Sequence, residues 1–559
     1  MDAGIAVQRA WRALCSPAVQ RGLAWLIVCA AIAVYMVLVG LHTLMRYHAY
    51  RAQAFDLGNM DQALWNTLHG HPFRFTNRGL DWNGPPTRLG IHVEPIILLI
   101  APLYLIHSGP ETLLVLQTVA LALGAIPLLL LALRRLPDVP LLGAAIACAY
   151  LAAPTLFGEA LWDFHAVALA TPLLLLALWA LDAEHYGWFL AAAVLATLTK
   201  EDVALSLIPL GVFIAVWRGR PRLGGAIVAL SIAWVCFCFA VVLPHFDGGA
   251  SGGNNYWYRY AWLGASPRAA IFNVLTHPWL PITGVLAVPA KRAYLATLLR
   301  TGGSLGLFAP GLWICGLPEL AVNILSTHEE QYSGFFQYNA VLLAYLMAGA
   351  VYGAATLYGA YHPAASAGAP PAAAAVPGGA LAPLGRLDAW MARLRDGATR
   401  LAVAVRTLLA RLPIPRQLVA PAMVLWLVIT AVWNLHAADP RVASFWRAGD
   451  GPAPQQAQVD ALLAKVPATA SVATTDSLDP HLSDRVDLYL MPDPQSYSAE
   501  YVAVDLSGAI ALNLVQDRRM YAIMQASGRY TVVGSAPNVV LLHRVGPPLT
   551  AAEQAALSR

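Results

Sequence analysis

Charge is scarce in this chain of 559 residues: Asp, Glu, Lys and Arg make up 12% of it, where a soluble domain carries about a quarter. With 58% hydrophobic residues beside so little charge, a water-soluble globule is excluded. Cysteine is scarce as well. Cys15, Cys29, Cys148, Cys236, Cys238 and Cys315 all lie in or beside apolar stretches, and none follows Cys315, which excludes a disulfide framework or a zinc-ligand spacing. The sequence has no glycine-rich phosphate loop, no internal repeat and no basic run in a polar domain. With a net charge of only +4, nucleic acid is not an expected partner.

Long apolar runs are what the chain does have. Arg9, Arg12 and Arg21 precede a run over 23–41 that is too long for a signal-peptide core, so it reads as a retained first span with a cytoplasmic N-terminus. Further runs lie near 111–133, 141–158, 166–181, 188–199, 203–217, 223–243, 339–358 and 418–435. A pattern broken by Pro, Lys and Arg over 270–325 suggests a helical pair. About eleven crossings of a hydrocarbon layer roughly 30 Å thick result. The run 95–106 is too short to cross. If it stays on the outer face, Arg134 and Arg135, the Arg218, Arg220 and Arg222 loop and the Arg-rich segment before the last span all fall in the cytoplasm. Residues 92–107 are therefore expected to form a juxtamembrane segment.

The expected fold class is a polytopic α-helical membrane protein with a small C-terminal α/β soluble domain. Residues 1–360 form the membrane-embedded core and 361–416 a linker. The linker is Ala/Pro/Gly-rich over 361–383 and then reads as a basic amphipathic helix on the cytoplasmic lipid surface, with a solvated connector as the alternative. Residues 417–436 form the last span and 437–559 an extracytoplasmic domain. In that domain helices are expected near 455–465 and 513–526, and strands near 470–474, 501–505, 530–534 and 538–543.

Alternating the spans sorts the ionisable residues onto one face: Asp56, Asp61, His92, Glu94, Glu159, Asp163, His165, Lys200, Glu201, Asp202, His245 and Asp247. Carboxylates with imidazoles suit proton transfer or a divalent metal, and lysine suits phosphate. His92 and Glu94, two apart in an extended stretch before Pro95, can address one metal ion, with His245 or Asp163 completing the set. The stretch 248–260 joins glycines to Asn254, Asn255, Tyr256, Trp257, Tyr258, Arg259 and Tyr260. It reads either as a lid over a polar ligand such as a sugar or as an interfacial aromatic belt.

The block Phe55 to Asn66, His92-Val93-Glu94-Pro95, Glu159-x-x-Trp162-x-Phe164-His165, Lys200-Glu201-Asp202 and Asp479-Pro480-His481-Leu482-Ser483 resemble the predicted bacterial membrane proteins grouped as domain of unknown function 2079. That family resembles the GT-C superfamily of membrane glycosyltransferases, which includes protein mannosyltransferases and lipid A aminoarabinose transferases. The resemblance implies a multi-pass protein of the bacterial inner membrane with Asp56 as catalytic base and Asp61 as a possible second acid. The chain departs from the superfamily in having His-x-Glu-Pro at the head of the juxtamembrane segment. The expected activity is inverting transfer of a sugar from a polyprenyl-phosphate donor to a lipid, glycan or protein acceptor. Lys200, Glu201, Asp163, His165, Tyr256 and Trp257 are the candidates for donor phosphate or substrate, and His92, Glu94 and His245 for a divalent metal. The alternatives are a transporter or flippase for a lipid-linked or polar solute, and a non-catalytic envelope polysaccharide assembly factor.

Overall fold

The computed structural model describes residues 16–79, 84–248, 256–362, 414–445, 455–508 and 513–557, with isolated positions between 393 and 411. The expected basic helix over 384–412 and the glycine stretch of the expected lid fall almost wholly outside these residues.

The chain folds as a helical bundle capped by a small mixed sheet. The first helix, Pro17–His48, starts where Ser16 accepts the Val19 N–H at 3.4 Å with Pro17 behind it, and it ends on Arg46 and His48, which complement the negative end of the helix dipole. Among the described residues five helices are long and apolar enough to cross a membrane: Pro17–His48, Pro110–Arg135, Pro221–Phe246, Gln337–Tyr361 and Arg416–His436. Four shorter apolar helices, Ala166–Asp182, Tyr186–Thr197, Ala204–Trp217 and Pro310–Leu325, lie on other expected runs.

Proline explains where the expected spans differ. The run 141–158 is broken into Pro140–Leu151 and Pro154–Leu161, bent by 43° at Pro154. In place of a simple helical pair over 270–325, Pro267–Thr276 and Trp279–Ala287 meet at 98° around Pro278. There follow Pro289–Arg300, a left-handed turn at Gly302 and Gly303 (φ +63° and +68°), and Pro310–Leu325. Where Ala204–Trp217 packs on Pro221–Phe237, a Cβ on Gly211 would fall 2.7 Å from the Gly224 carbonyl oxygen, and one on Gly224 2.3 Å from that of Gly211. Small residues bring the two backbones together where no hydrophobic effect can.

Residues 95–106 form two short helical pieces, Ile97–Ile100 and Ala101–Leu105. Ile97, Ile100, Ala101 and Tyr104 are buried, whereas Leu98, Leu99, Leu105 and Ile106 are exposed, giving the segment one apolar face turned away from the protein.

Two ends of the bundle carry the polar contacts. At one end Asp182 takes Arg135, Arg134 and Arg218 together, with Tyr352 alongside. At the other, the loop after Pro17–His48 meets the loop after Pro154–Leu161 and the C-terminal domain, and the turn after Tyr186–Thr197 meets the juxtamembrane segment. That domain has strands β1 (Val472–Thr474), β2 (Leu488–Leu490), β3 (Tyr501–Asp505), β4 (Tyr530–Ala536) and β5 (Val539–Arg544) in the order β2-β1-β3-β5-β4. β1 is parallel to β2 and β3, and β5 is antiparallel to β3 and β4. Side chains alternate across the sheet: Val502, Val504 and Leu542 pack with Met520, Ile523 and Met524 of the helix Leu514–Ala526, and Ala503, Val539 and Leu541 with Val459, Leu462 and Leu463 of Gln456–Leu463. Four strands and both helices lie where the sequence placed them. β2 was not expected.

Candidate active site

Asp56 sits in a single π-helical turn, Ala54–Gly58, that leads into the helix Asn59–Leu68. The turn is held from its first peptides. Gln53 donates its backbone N–H to Asp163 Oδ2 at 2.7 Å, and Ala54 donates to Asp476 Oδ1 at 2.7 Å. Asp163 is fully buried and its other oxygen takes Arg46 at 2.5 Å, so it is an anchor for the turn. Arg46 in turn lies over the Trp162 ring, 4.8 Å from its centre.

The Asp56 side chain remains 28% exposed. Its Oδ2 accepts the Trp162 indole N–H at 2.8 Å, and its Oδ1 faces His165 Nε2 at 3.1 Å. The other ring nitrogen, Nδ1, lies 3.0 Å from the Asp163 carbonyl oxygen. A carbonyl and a carboxylate only accept, so both imidazole nitrogens carry protons and the pair is imidazolium with carboxylate. Burial alone would push the Asp56 carboxyl up, but His165 and Trp162 outweigh it and hold it below the usual carboxylate range. Burial likewise pulls His165 down, and Asp56 with the Asp163 carbonyl holds it above the ordinary histidine value.

Asp61, five residues on, has a different role. It is fully buried in the helix Asn59–Leu68, where Tyr104 reaches Oδ1 at 2.5 Å and Ser483 of the C-terminal domain reaches Oδ2 at 2.6 Å. Burial pushes its carboxyl well above the usual range, and both oxygens are taken up by these contacts, so Asp61 is a docking group rather than an open acid.

Beside the Asp56 turn is a second cluster. Lys200 Nζ lies 2.7 Å from Asp202 Oδ2. Burial would lower the lysine, but Asp202 and Glu201 keep it protonated. Glu201 binds His92 Nδ1 at 2.9 Å through Oε1 and the Val93 N–H at 2.9 Å through Oε2, tying the juxtamembrane segment to the turn after Tyr186–Thr197. Tyr256 stacks at 5.9 Å on His92 and under the Arg259 guanidinium at 4.5 Å. Tyr338 lies within electrostatic reach of Arg259, Lys200 and Asp56 alike. Trp257 spends its N–H on the Gly264 carbonyl at 3.2 Å and so shapes its own loop.

The three residues expected to bind a metal do not converge. Glu94 Oε2 takes Arg88 Nη2 at 2.7 Å and Nε at 3.1 Å in a buried pair, His92 is engaged by Glu201, and His245 packs edge-on against Phe246. Among the described residues no three His, Cys, Asp or Glu side chains gather as a metal site. The i, i+2 spacing put His92 and Glu94 on one side of an extended stretch, but each found a separate partner. Glu159 lies inside the helix Pro154–Leu161, buried against Thr171, and not in the loop. Sequence reasoning missed Arg46, Arg88, Tyr338 and Asp476. For Asp476 a signal existed, since it lies three residues before the start of the quoted Asp479 to Ser483 motif.

Residues 46–365, more than half of the chain, match the family described as predicted membrane protein (DUF2079). The chain belongs to that family. The DUF2079 match covers Asp56, His165, Lys200 and Arg259 and ends before the C-terminal domain. No curated protein matches the sequence. Among solved structures, ArnT from Cupriavidus metallidurans bound to undecaprenyl phosphate is similar at 16% identity and a TM-score of 0.49, over 93% of this chain and 98% of that one. The archaeal oligosaccharyltransferase AglB from Archaeoglobus fulgidus, in complex with an inhibitory peptide and a dolichol-phosphate, is similar at 11% identity and a TM-score of 0.31, over 90% of this chain and 72% of that one.

Proposed function

We propose that the protein is an inverting membrane glycosyltransferase of the GT-C type. It takes a sugar from a polyprenyl-phosphate donor and passes it to an acceptor on the extracytoplasmic face of the bacterial inner membrane. The observation that carries this reading is the partly open Asp56 carboxylate, oriented by His165 and Trp162, with the cations Lys200 and Arg259 gathered around the neighbouring Tyr338.

The chemistry divides between the two clusters. The acceptor hydroxyl oxygen attacks the anomeric carbon from one side as the bond from that carbon to the phosphate oxygen breaks on the other. Its proton goes to Asp56, and the bonding pair leaves with the phosphate, whose growing negative charge Lys200 and Arg259 stabilise. A carboxylate held below its ordinary range is a weak base. It suffices because the transition state is oxocarbenium-like, and the acceptor oxygen gives up its proton late, when bonding to carbon has already made it strongly acidic. The exposed apolar face of Leu98, Leu99, Leu105 and Ile106 gives the isoprenoid a surface at membrane level close to the phosphate cluster. The opposite end of the bundle supports this orientation. Arg134, Arg135 and Arg218 gather there, as expected of a cytoplasmic face.

The test is transfer by the purified protein from a panel of radiolabelled polyprenyl-phosphate sugars. Asp56→Asn keeps size and hydrogen bonding but removes the base, and transfer is expected to fall by roughly two to four orders of magnitude. Asp61→Asn should retain transfer. The opposite pattern, or full activity of Asp56→Asn, would reject Asp56 as the base.

A further inference from the structure

The turn that carries Asp56 is held by both halves of the protein. The first N–H groups of a helical turn have no partner within it and need acceptors from outside. Gln53 finds Asp163 in the bundle, whereas Ala54 finds Asp476 in the C-terminal domain, 422 residues away in sequence. Asp476 is 4% exposed, and among the described residues its second oxygen has no hydrogen-bond partner, so the bond it makes is to this one peptide.

The placement follows from the sheet. Asp476 opens the short helical turn Asp476–His481 at the carboxyl end of β1, a strand parallel to both of its neighbours. In open sheets the crevice outside the carboxyl ends of parallel strands is where ligands usually bind. Here Ala54 of the chain's own first loop meets Asp476 at that end, and the loop runs on along the β1–β2 crossover to the first residue of β2. Asn77 donates to Asp479 Oδ1 at 2.7 Å, Thr76 bonds the backbone of Leu488, and Gln62 reaches the Arg485 carbonyl at 3.1 Å. Together with Ser483 on Asp61, these contacts hold the two parts together without help from Asp476.

We propose that Asp476 is a positioning residue for Asp56: by accepting the Ala54 N–H it fixes the turn that aims the Asp56 carboxylate, so the C-terminal domain completes the active site. The catalytic half of this inference rests on the transfer reading above. The structural half does not.

The experiment uses the full chain and the variants Asp476→Ala, Asp476→Asn and Ser483→Ala, with hydrogen exchange of the 53–58 amides measured beside kcat and KM for a polyprenyl-phosphate sugar. Asp476→Ala is expected to speed exchange across 53–58 and to lower kcat, each by about tenfold or more, with KM for the donor within about twofold. Asp476→Asn keeps an acceptor oxygen and should restore both to within about threefold of the original protein. Ser483→Ala loosens the docking elsewhere and should leave kcat within about threefold. Unchanged exchange in Asp476→Ala, faster exchange with an unchanged kcat, or an equal fall in kcat in Ser483→Ala each overturns the proposal. If the unaltered protein transfers no sugar, the proposed activity fails, and exchange at 53–58 alone decides whether Asp476 fixes the turn.

Discussion

Gly58 closes the Asp56 turn at ordinary right-handed angles (φ −64°, ψ −44°), so alanine would fit the backbone there without strain. By helix propensity alone Gly58→Ala would stabilise the turn by about 1 kcal/mol. The surroundings reverse that sign. A Cβ at this position would fall 1.9 Å from Asp479 Oδ1 and 3.1 Å from its Cγ, so the carboxyl has to retreat by more than an ångström. Asp479 is fully buried, its second oxygen has no hydrogen-bond partner among the described residues, and burial pushes its carboxyl well above the usual range, so there is little room or compensation for a shift. Overpacking of this kind costs about 1–3 kcal/mol, and loss of the neutral hydrogen bond from Asn77 about 1 kcal/mol more. Set against the propensity gain, the net cost is about 1–3 kcal/mol, which corresponds to local opening that is about 5- to 150-fold more frequent. Hydrogen exchange over 54–62 and 476–488 reads that opening directly. The double variant Gly58→Ala with Asp479→Ala should open less often than the sum of the two single changes implies, because the second removes what the first collides with. Slower exchange in Gly58→Ala would show that propensity wins and that the two domains do not meet at this contact.

The Asp56 and His165 pair also sets a pH window. With the carboxyl held below about 3.9 and the imidazole above about 6.5, their ordinary values, the charged pair persists between those limits and past both. The kcat/KM profile should therefore be flat between them, falling on the acid side only as pH drops through the depressed carboxyl value and on the alkaline side only as it rises through the raised imidazole value. An acid limb at an ordinary carboxylate value would contradict the pairing. Glu94→Gln leaves the buried Arg88 guanidinium, among the described residues, with Asn59 as its remaining side-chain partner, and thermal unfolding in detergent should show a loss of about 3–5 kcal/mol. Replacing both residues by apolar ones, Glu94→Leu with Arg88→Met, should cost less than that single change, and the reverse order would argue against the ion pair. In the phosphate-binding role proposed for it, Lys200 would contribute a charge-assisted contact worth about 1.5–3 kcal/mol, so Lys200→Gln should lower kcat/KM for the lipid donor by about 10- to 150-fold. A fall of that size with water-soluble acceptor alone varied, and none with donor, would move Lys200 out of the phosphate site.

What could be read from the sequence was local. Apolar runs over 23–41, 111–133 and 339–358 lie within helices because a long run of side chains without charge has only one way to satisfy its backbone in lipid, and that requires no knowledge of neighbours. The strands near 501–505 and 538–543 were visible for a similar reason, through alternation with a period of two. Asp56 was legible through its motif, and the gathering of Asp56, His165, Lys200 and Glu201 at one end of the bundle agrees with the alternating orientation of spans. Pairings were not legible. Whether Glu94 met a metal or Arg88, and whether His92 met Glu94 or Glu201, depended on contacts that extended spacing allows but does not choose. β2 escaped notice because three residues carry no period of their own, and it exists by virtue of its register with β1. Asp61 and Asp56 look alike in sequence. Tertiary structure gave one to Ser483 and Tyr104 and left the other open beside His165, because a carboxyl's chemistry is set by the groups that surround it, and these come from positions up to 422 residues away.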